Sequence, residues 1–190
     1  MRSRAAIVFG LLLGGSICRG EVVERVLAVV DQRPLLLSEV EALRNVKGIS
    51  REEALEKAID ERLMYAEASR TPQSAVSPEE ERRAYASLRA RLPENWKGKV
   101  SEASLVALAR REAVILKYVE FRFVPQIRIG DDAVRDAYLE ETQGKPAQRT
   151  LEEAEGEIRQ RLLSAELDTR IEAWVKELRD SAEIRYNPER

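Results

Sequence analysis

Apolar and polar positions follow two different periods along this chain, and the changes of period place the elements. Val22 to Val30 (VVERVLAVV) is a β-branched apolar run, and after Asp31 and Gln32 a second run follows, Arg33 to Leu37 (RPLLL), which together predict a hairpin. Asp-Gln lacks the glycine that a two-residue turn prefers, and Pro34 has no N–H to give a ladder, so the second strand is expected to be short and at a sheet edge. From Ser38 onward the period becomes helical. Leu55, Ile59, Leu63 and Ala66 share one face, and Leu105, Leu108, Ala109, Leu116, Val119 and Phe123 form a second stripe. Ile158, Leu162, Ile171, Trp174 and Leu178 keep to one side of the longest helix, over several turns.

The polar residues between these stripes mark starts and stops. Ser38 with Glu41, Ser50 with Glu53, Ser77 with Pro78 and Glu80, and Thr150 with Glu153 each place a hydroxyl to bond an orphan N–H while a carboxylate reaches back. Ser101 and Gly130 are weaker starts, the latter with Asp131 and Asp132 set against the positive end of the helix. Gly48, Thr71-Pro72, Pro93, Pro125 and Gly144 supply stops. Glu94 to Lys99 (ENWKGK) and Thr142 to Arg149 (TQGKPAQR) read as loops. After the last helix, Ala182 to Tyr186 (AEIRY) alternates like a strand, and a lone strand needs a partner that only the N-terminal hairpin offers. The expected fold class is therefore mainly α, about six helices with a small antiparallel sheet formed by the N-terminal hairpin and the C-terminal strand.

Composition narrows the chemistry. The chain has 190 residues, which suits one domain or one domain with an arm. Its 32 basic and 34 acidic side chains nearly cancel, so no overall positive field exists to hold a nucleic-acid backbone. With no histidine and one cysteine, most metal ligands, neutral-pH general bases and thiol nucleophiles are missing, and the serines lack the base of a hydrolase triad. No Gly-rich phosphate loop is present, so no nucleotide or other cofactor is expected. Asp131 and Asp132 sit side by side at a helix start, where neighbours face apart, and read as dipole complements rather than paired acid-base carboxylates.

The first twenty residues read as a secretory signal. Arg2 and Arg4 are followed by an apolar run of eleven, Ala5 to Gly15, too short for the roughly 20 residues that span a bilayer. Cleavage is expected after Gly20, with Cys18 and Gly20 in the small-residue positions, giving a periplasmic chain of 29 basic and 34 acidic residues without cysteine. A lipid anchor at Cys18 is the rival reading, and bulky Ile17 before the cysteine counts against it; an uncleaved tether is a third.

In order along the chain, VVERVLAVVDQRPLLLSEVEAL, EEALEKAIDERLMYAEA, SPEEERRAY, IGDDAVRDAYLEE and LEEAEGEIRQRLLSAELDTRIEAWVKELRDSAEIRY together resemble the chaperone module of the SurA, PpiD and PrsA type exported foldases. The most distinctive piece is W-x-x-x-L-R-x-x-A-x-I-x-Y, Trp174 to Tyr186. The resemblance implies one module over residues 21–190, in which the long helix and strand of 150–190 complete the N-terminal part. It implies an ATP-independent periplasmic chaperone that holds unfolded envelope proteins, mostly outer-membrane barrel precursors. It also implies one or two parvulin-type prolyl isomerase domains between the fifth and last helices, and here the chain departs. Only Thr142 to Arg149 intervenes, where a domain takes on the order of 100 residues, and there is no histidine for the family's active site. Holding without prolyl isomerase activity is the expectation. The alternatives are a dedicated structural or interaction subunit for one envelope partner, and a degenerate isomerase.

Holding without ATP is passive, so it needs apolar surface. Unfolded barrel strands alternate aromatic and polar residues, which suits a groove with apolar walls and a charged rim. Tyr118, Phe121, Phe123 and Val124 crowd the end of one helix on more than one face, and Phe121 is the strongest candidate for exposure. Trp96 lies in the ENWKGK loop. These five are the candidate client-binding residues; the plainer reading is that Phe121 and Trp96 pack against neighbouring helices. Trp174 and Tyr186 are assigned to the core. Met64 is the only methionine besides Met1, so the adaptable thioethers of many promiscuous binders are scarce. An amphipathic terminal helix that packs on the other end of the chain also invites swapping into a homodimer.

Overall fold

Residues 26–36 form the predicted hairpin in the computed structural model, which describes residues 24–92, 96–143 and 149–187. The candidate signal segment, Cys18, Val22 and Val23, and the expected helix stops Pro93 and Gly144 lie outside the described residues. Strand β1 (Val26–Val30) pairs with β2 (Arg33–Leu36) across Asp31 and Gln32, whose φ angles of 45° and 66° are both left-handed. Two positive φ values are what a tight hairpin turn needs to match the twist of its strands, and a chain without glycine there adopts them under strain. Asp31 has a compensation. Its N–H donates to Glu183 O at 3.0 Å and its Oδ1 accepts from Glu183 N at 3.0 Å, which ties the turn to the far end of the chain.

That end is strand β3 (Ile184–Tyr186), which lies antiparallel against β1 with Val30 opposite Ile184 and Ala28 opposite Tyr186. The sheet order is β2-β1-β3, so Pro34 does sit in an edge strand. Six helices are found among the described residues: α1 (Leu37–Lys47), α2 (Arg51–Ala68), α3 (Pro78–Ala90), α4 (Glu102–Arg122), α5 (Asp131–Thr142) and α6 (Leu151–Ser181). Mainly helical with a small three-stranded antiparallel sheet, the architecture is the one expected from the sequence.

Most of the helix ends follow local chemistry. Ser50 and Glu53, Ser77 and Glu80, and Thr150 and Glu153 exchange both bonds of the capping box, and Ser101 Oγ accepts from Ser104 N at 3.0 Å. Gly48, at φ 68°, closes α1 by donating to Arg44 O at 2.8 Å. The start of α1 departs from expectation. The helix begins at Leu37, with Glu39 Oε2 accepting from Leu36 N at 3.1 Å, while Ser38 lies inside the first turn and donates its N–H to Glu24 Oε1 at 3.0 Å. Strand β2 runs into α1 without a loop, so no residue remains for a serine cap. Glu41 pairs instead with Arg44 and Arg51.

The buried residues form three clusters. The first joins Leu27, Val30 and Leu35 of the sheet to Val40 and Leu43 of α1, Ile59 of α2 and Leu105 of α4. The second brings Ala68 of α2, Val114, Tyr118 and Val119 of α4, and Trp174 of α6 together. The third is made by α5 and the first turns of α6, with Val134, Ala154 and Ile158 buried. Helix α4 therefore changes partners midway, and its buried face turns with it. Leu116, expected on the buried stripe, is 54% exposed for that reason. Tyr186, expected in the core, is 50% exposed because the last strand lies at the sheet's other edge; its hydroxyl reaches Glu56 at 3.0 Å. Trp174 is buried as expected. Arg179, near the end of α6, pins that helix to α2 by donating to Asp60 and, at 3.1 Å, to Glu56 O.

Candidate functional site

Helix α4 ends because Pro125 cannot continue it, and the ending decides where its aromatic residues go. Phe123 closes the helix with its N–H on Val119 O at 2.9 Å and turns its ring toward α6. Tyr118, one turn earlier on the side facing α6, stacks on Trp174 with centroids 4.9 Å apart and planes at 25°. Phe123 stands edge-on to Tyr118 at 6.4 Å and tilted against Trp174 at 5.5 Å. Three rings thus share one cluster, in the offset and edge arrangements that aromatic quadrupoles favour.

An open groove of about 520 Å³ runs over these rings. Tyr118, Phe123, Trp174, Ala173 and Leu178 supply its apolar wall, while Glu67, Arg122, Arg170 and Glu177 make a rim with charges of both signs. Arg170 is held by Glu166 at 2.9 Å, one turn back on α6. Burial, then the charge of Glu67, push the Tyr118 hydroxyl above its ordinary value, with Arg122 opposing, so it stays a neutral phenol at physiological pH. Ser181 Oγ donates to Leu178 O at 3.0 Å. Tyr118 and Trp174 are themselves buried, at 7% and 8% exposed, so the groove offers an apolar segment the small open part of these rings and half-buried Phe123, with a rim of donors and acceptors for its polar flanks.

Of the five candidate client-binding residues, Tyr118 and Phe123 line this groove. Phe121 is 50% exposed but does not line it, and Val124, half-buried, starts the short 3-10 turn that follows α4. Trp96 is elsewhere, packed against the first cluster with the Arg89 guanidinium 5.7 Å above its ring. Trp174, assigned from the sequence to the core alone, is both a core residue and the groove's central ring. Its signal was available in the i, i+4 spacing of Arg170, Trp174 and Leu178, which puts a cation, an indole and an aliphatic side chain on one face of α6.

Among the described residues no group of three or more His, Cys, Asp or Glu side chains is placed to hold a metal ion, and no helix is long and apolar enough to cross a membrane. No protein-family model and no curated protein matches the chain.

Proposed function

We propose that this protein is an ATP-independent periplasmic holdase that binds unfolded envelope proteins, outer-membrane barrel precursors among them, and has no prolyl isomerase activity. The observation that carries this reading is the open aromatic groove with its mixed-charge rim, whose chemistry complements the alternating aromatic and polar residues of an unfolded barrel strand. At about 25 cal/mol per Å² of apolar surface, the modest open area of the groove gives on the order of 2–3 kcal/mol before ordering costs, which favours weak binding and easy release. The resemblance to exported foldases supports the same reading.

Light scattering tests it. Near-stoichiometric protein is expected to slow the aggregation of several unrelated denatured barrel proteins. Protection of none, with co-purification of one native protein, would assign it as a dedicated subunit instead. Catalysed cis/trans exchange of a proline peptide above background would contradict the absence of isomerase activity.

A further inference from the structure

A second cavity, of about 360 Å³, lies between the β1–β2 turn and the C-terminal half of α2, within the roughly 300–1,000 Å³ of small-ligand sites. Val30 and Leu63, both buried, and half-buried Tyr65 and Ala66 give it an apolar floor. Three guanidiniums, Arg33, Arg62 and Arg70, and one carboxylate, Asp31, stand around that floor.

These charges do not cancel within the cavity. Asp31 accepts from Glu183 N, which holds its carboxylate in place without offsetting its charge, and one carboxylate faces three guanidiniums. Arg62 donates through Nη2 to Glu39 Oε1 at 2.7 Å, and the same oxygen also accepts from Arg111 at 3.3 Å, which Glu61 meets as well at 3.9 Å. Arg62 Nε is buried without an acceptor, and such a donor carries a desolvation cost. Arg33 has no ion pair among the described residues, and Arg70 has only exposed Glu67 at 3.3 Å. The strained pair Asp31 and Gln32 forms the adjoining turn.

We propose that this pocket binds the free C-terminal carboxylate of a polypeptide whose last side chain is apolar, a proposal that rests on the holdase reading only for the source of the peptide. A carboxylate presents two coplanar oxygens that match the guanidinium fork. A free phosphate ion, polar on every side, would leave the open apolar surface of half-buried Tyr65 and Ala66 uncovered. A polypeptide terminus carries its carboxylate and its last side chain on one carbon, so both requirements are met together. Strand addition is disfavoured here, because Pro34 in edge strand β2 has no N–H and its carbonyl faces Arg62 Nη1 at 3.5 Å. Recognition is therefore end-on. Pocket and groove meet at the end of α2, the groove taking Glu67 and the pocket Ala66 with Ser69 and Arg70 just beyond the helix.

Calorimetric titration with an N-acetylated tripeptide ending in phenylalanine, as the free acid and as its C-terminal amide, tests the proposal. The acid is expected to bind about tenfold more tightly than the amide, with the difference shrinking as salt is added. An Arg33→Gln/Arg70→Gln double variant, changed at two exposed positions, keeps the parent melting temperature and loses that preference. Equal binding of acid and amide, or a preference unchanged in the double variant, overturns the proposal. So does displacement of the peptide acid by phosphatidylglycerol vesicles or inorganic phosphate at matched concentration, which would make this a headgroup or phosphate site. Acid-selective binding by a protein that protects no client leaves the pocket standing and removes the holdase reading; protection without acid selectivity does the reverse.

Discussion

Replacing Trp174 with alanine removes the ring on which the groove and the second core cluster both depend. The indole is 8% exposed, stacked on Tyr118 at 4.9 Å and in contact with Phe123 at 5.5 Å. Truncations of buried aromatic residues cost about 3–5 kcal/mol, of which the aromatic pairings account for roughly 0.5–1.5 kcal/mol each. Against a total stability of roughly 5–15 kcal/mol this is a large fraction, and at about 2–4 °C per kcal/mol the melting temperature should fall by about 6–20 °C. Trp174→Phe keeps a ring in place and should cost about half as much or less. Circular dichroism melts of the parent and both variants, at one protein concentration, supply the comparison. An alanine variant that melts within about 2 °C of the parent would refute the reasoning, because no indole wedged between Tyr118, Phe123 and Leu178 can be removed at so small a cost.

Further outcomes follow from other contacts. Gln32→Gly should raise stability by about 0.5–1 kcal/mol, since glycine accepts φ 66° without the side-chain clash; an unchanged or lower denaturation midpoint would argue against strain in the turn. The Ser77 backbone N–H, then Lys117 and the Ser77 hydroxyl, hold the Glu80 carboxyl at about 2, below its ordinary 4.5. Its stabilising effect is thus present above about pH 4.5 and lost as pH falls toward 2, so Glu80→Gln should flatten that stretch of the stability profile measured by urea denaturation. For Arg179 and Asp60, which join α6 to α2 across a half-exposed contact, a double-mutant cycle with Arg179→Met and Asp60→Asn should return a coupling of about 1 kcal/mol, and additive effects would show that the pair is incidental.

The parts of this fold legible in the sequence are those governed by chemistry within a few residues. Ser50, Ser77 and Thr150 cap helices because a hydroxyl and a glutamate three residues on find each other whatever the rest of the chain does. Gly48 stops α1 because its backbone alone turns left-handed easily. The pairing of β3 with β1 was legible by elimination, since an alternating terminal segment had a single available partner. What escaped depends on which element arrives as neighbour. Ser38 has the form of a cap, but β2 enters α1 directly and Glu24, distant in sequence, takes its N–H. Leu116 lies on the expected stripe of α4 but belongs to neither of the two clusters that α4 joins, the first taking Leu105, Leu108 and Ala109 and the second Val114, Tyr118 and Val119. Tyr186 completes an alternation but falls on a sheet edge. The site was half legible for the same reason: crowding of aromatic residues at the end of α4 pointed to Tyr118 and Phe123, while the third ring came from a helix some fifty residues away, whose docking no local pattern encodes.

Cross-linking from within the groove tests the central claim most directly. A photoreactive side chain placed at Ala173, on the groove wall, should capture a denatured barrel protein, while the same group at Asp168, on a different face of α6, should capture little. Equal capture at both positions, or capture at Asp168 alone, would contradict the assignment of the aromatic groove as the place where clients are held.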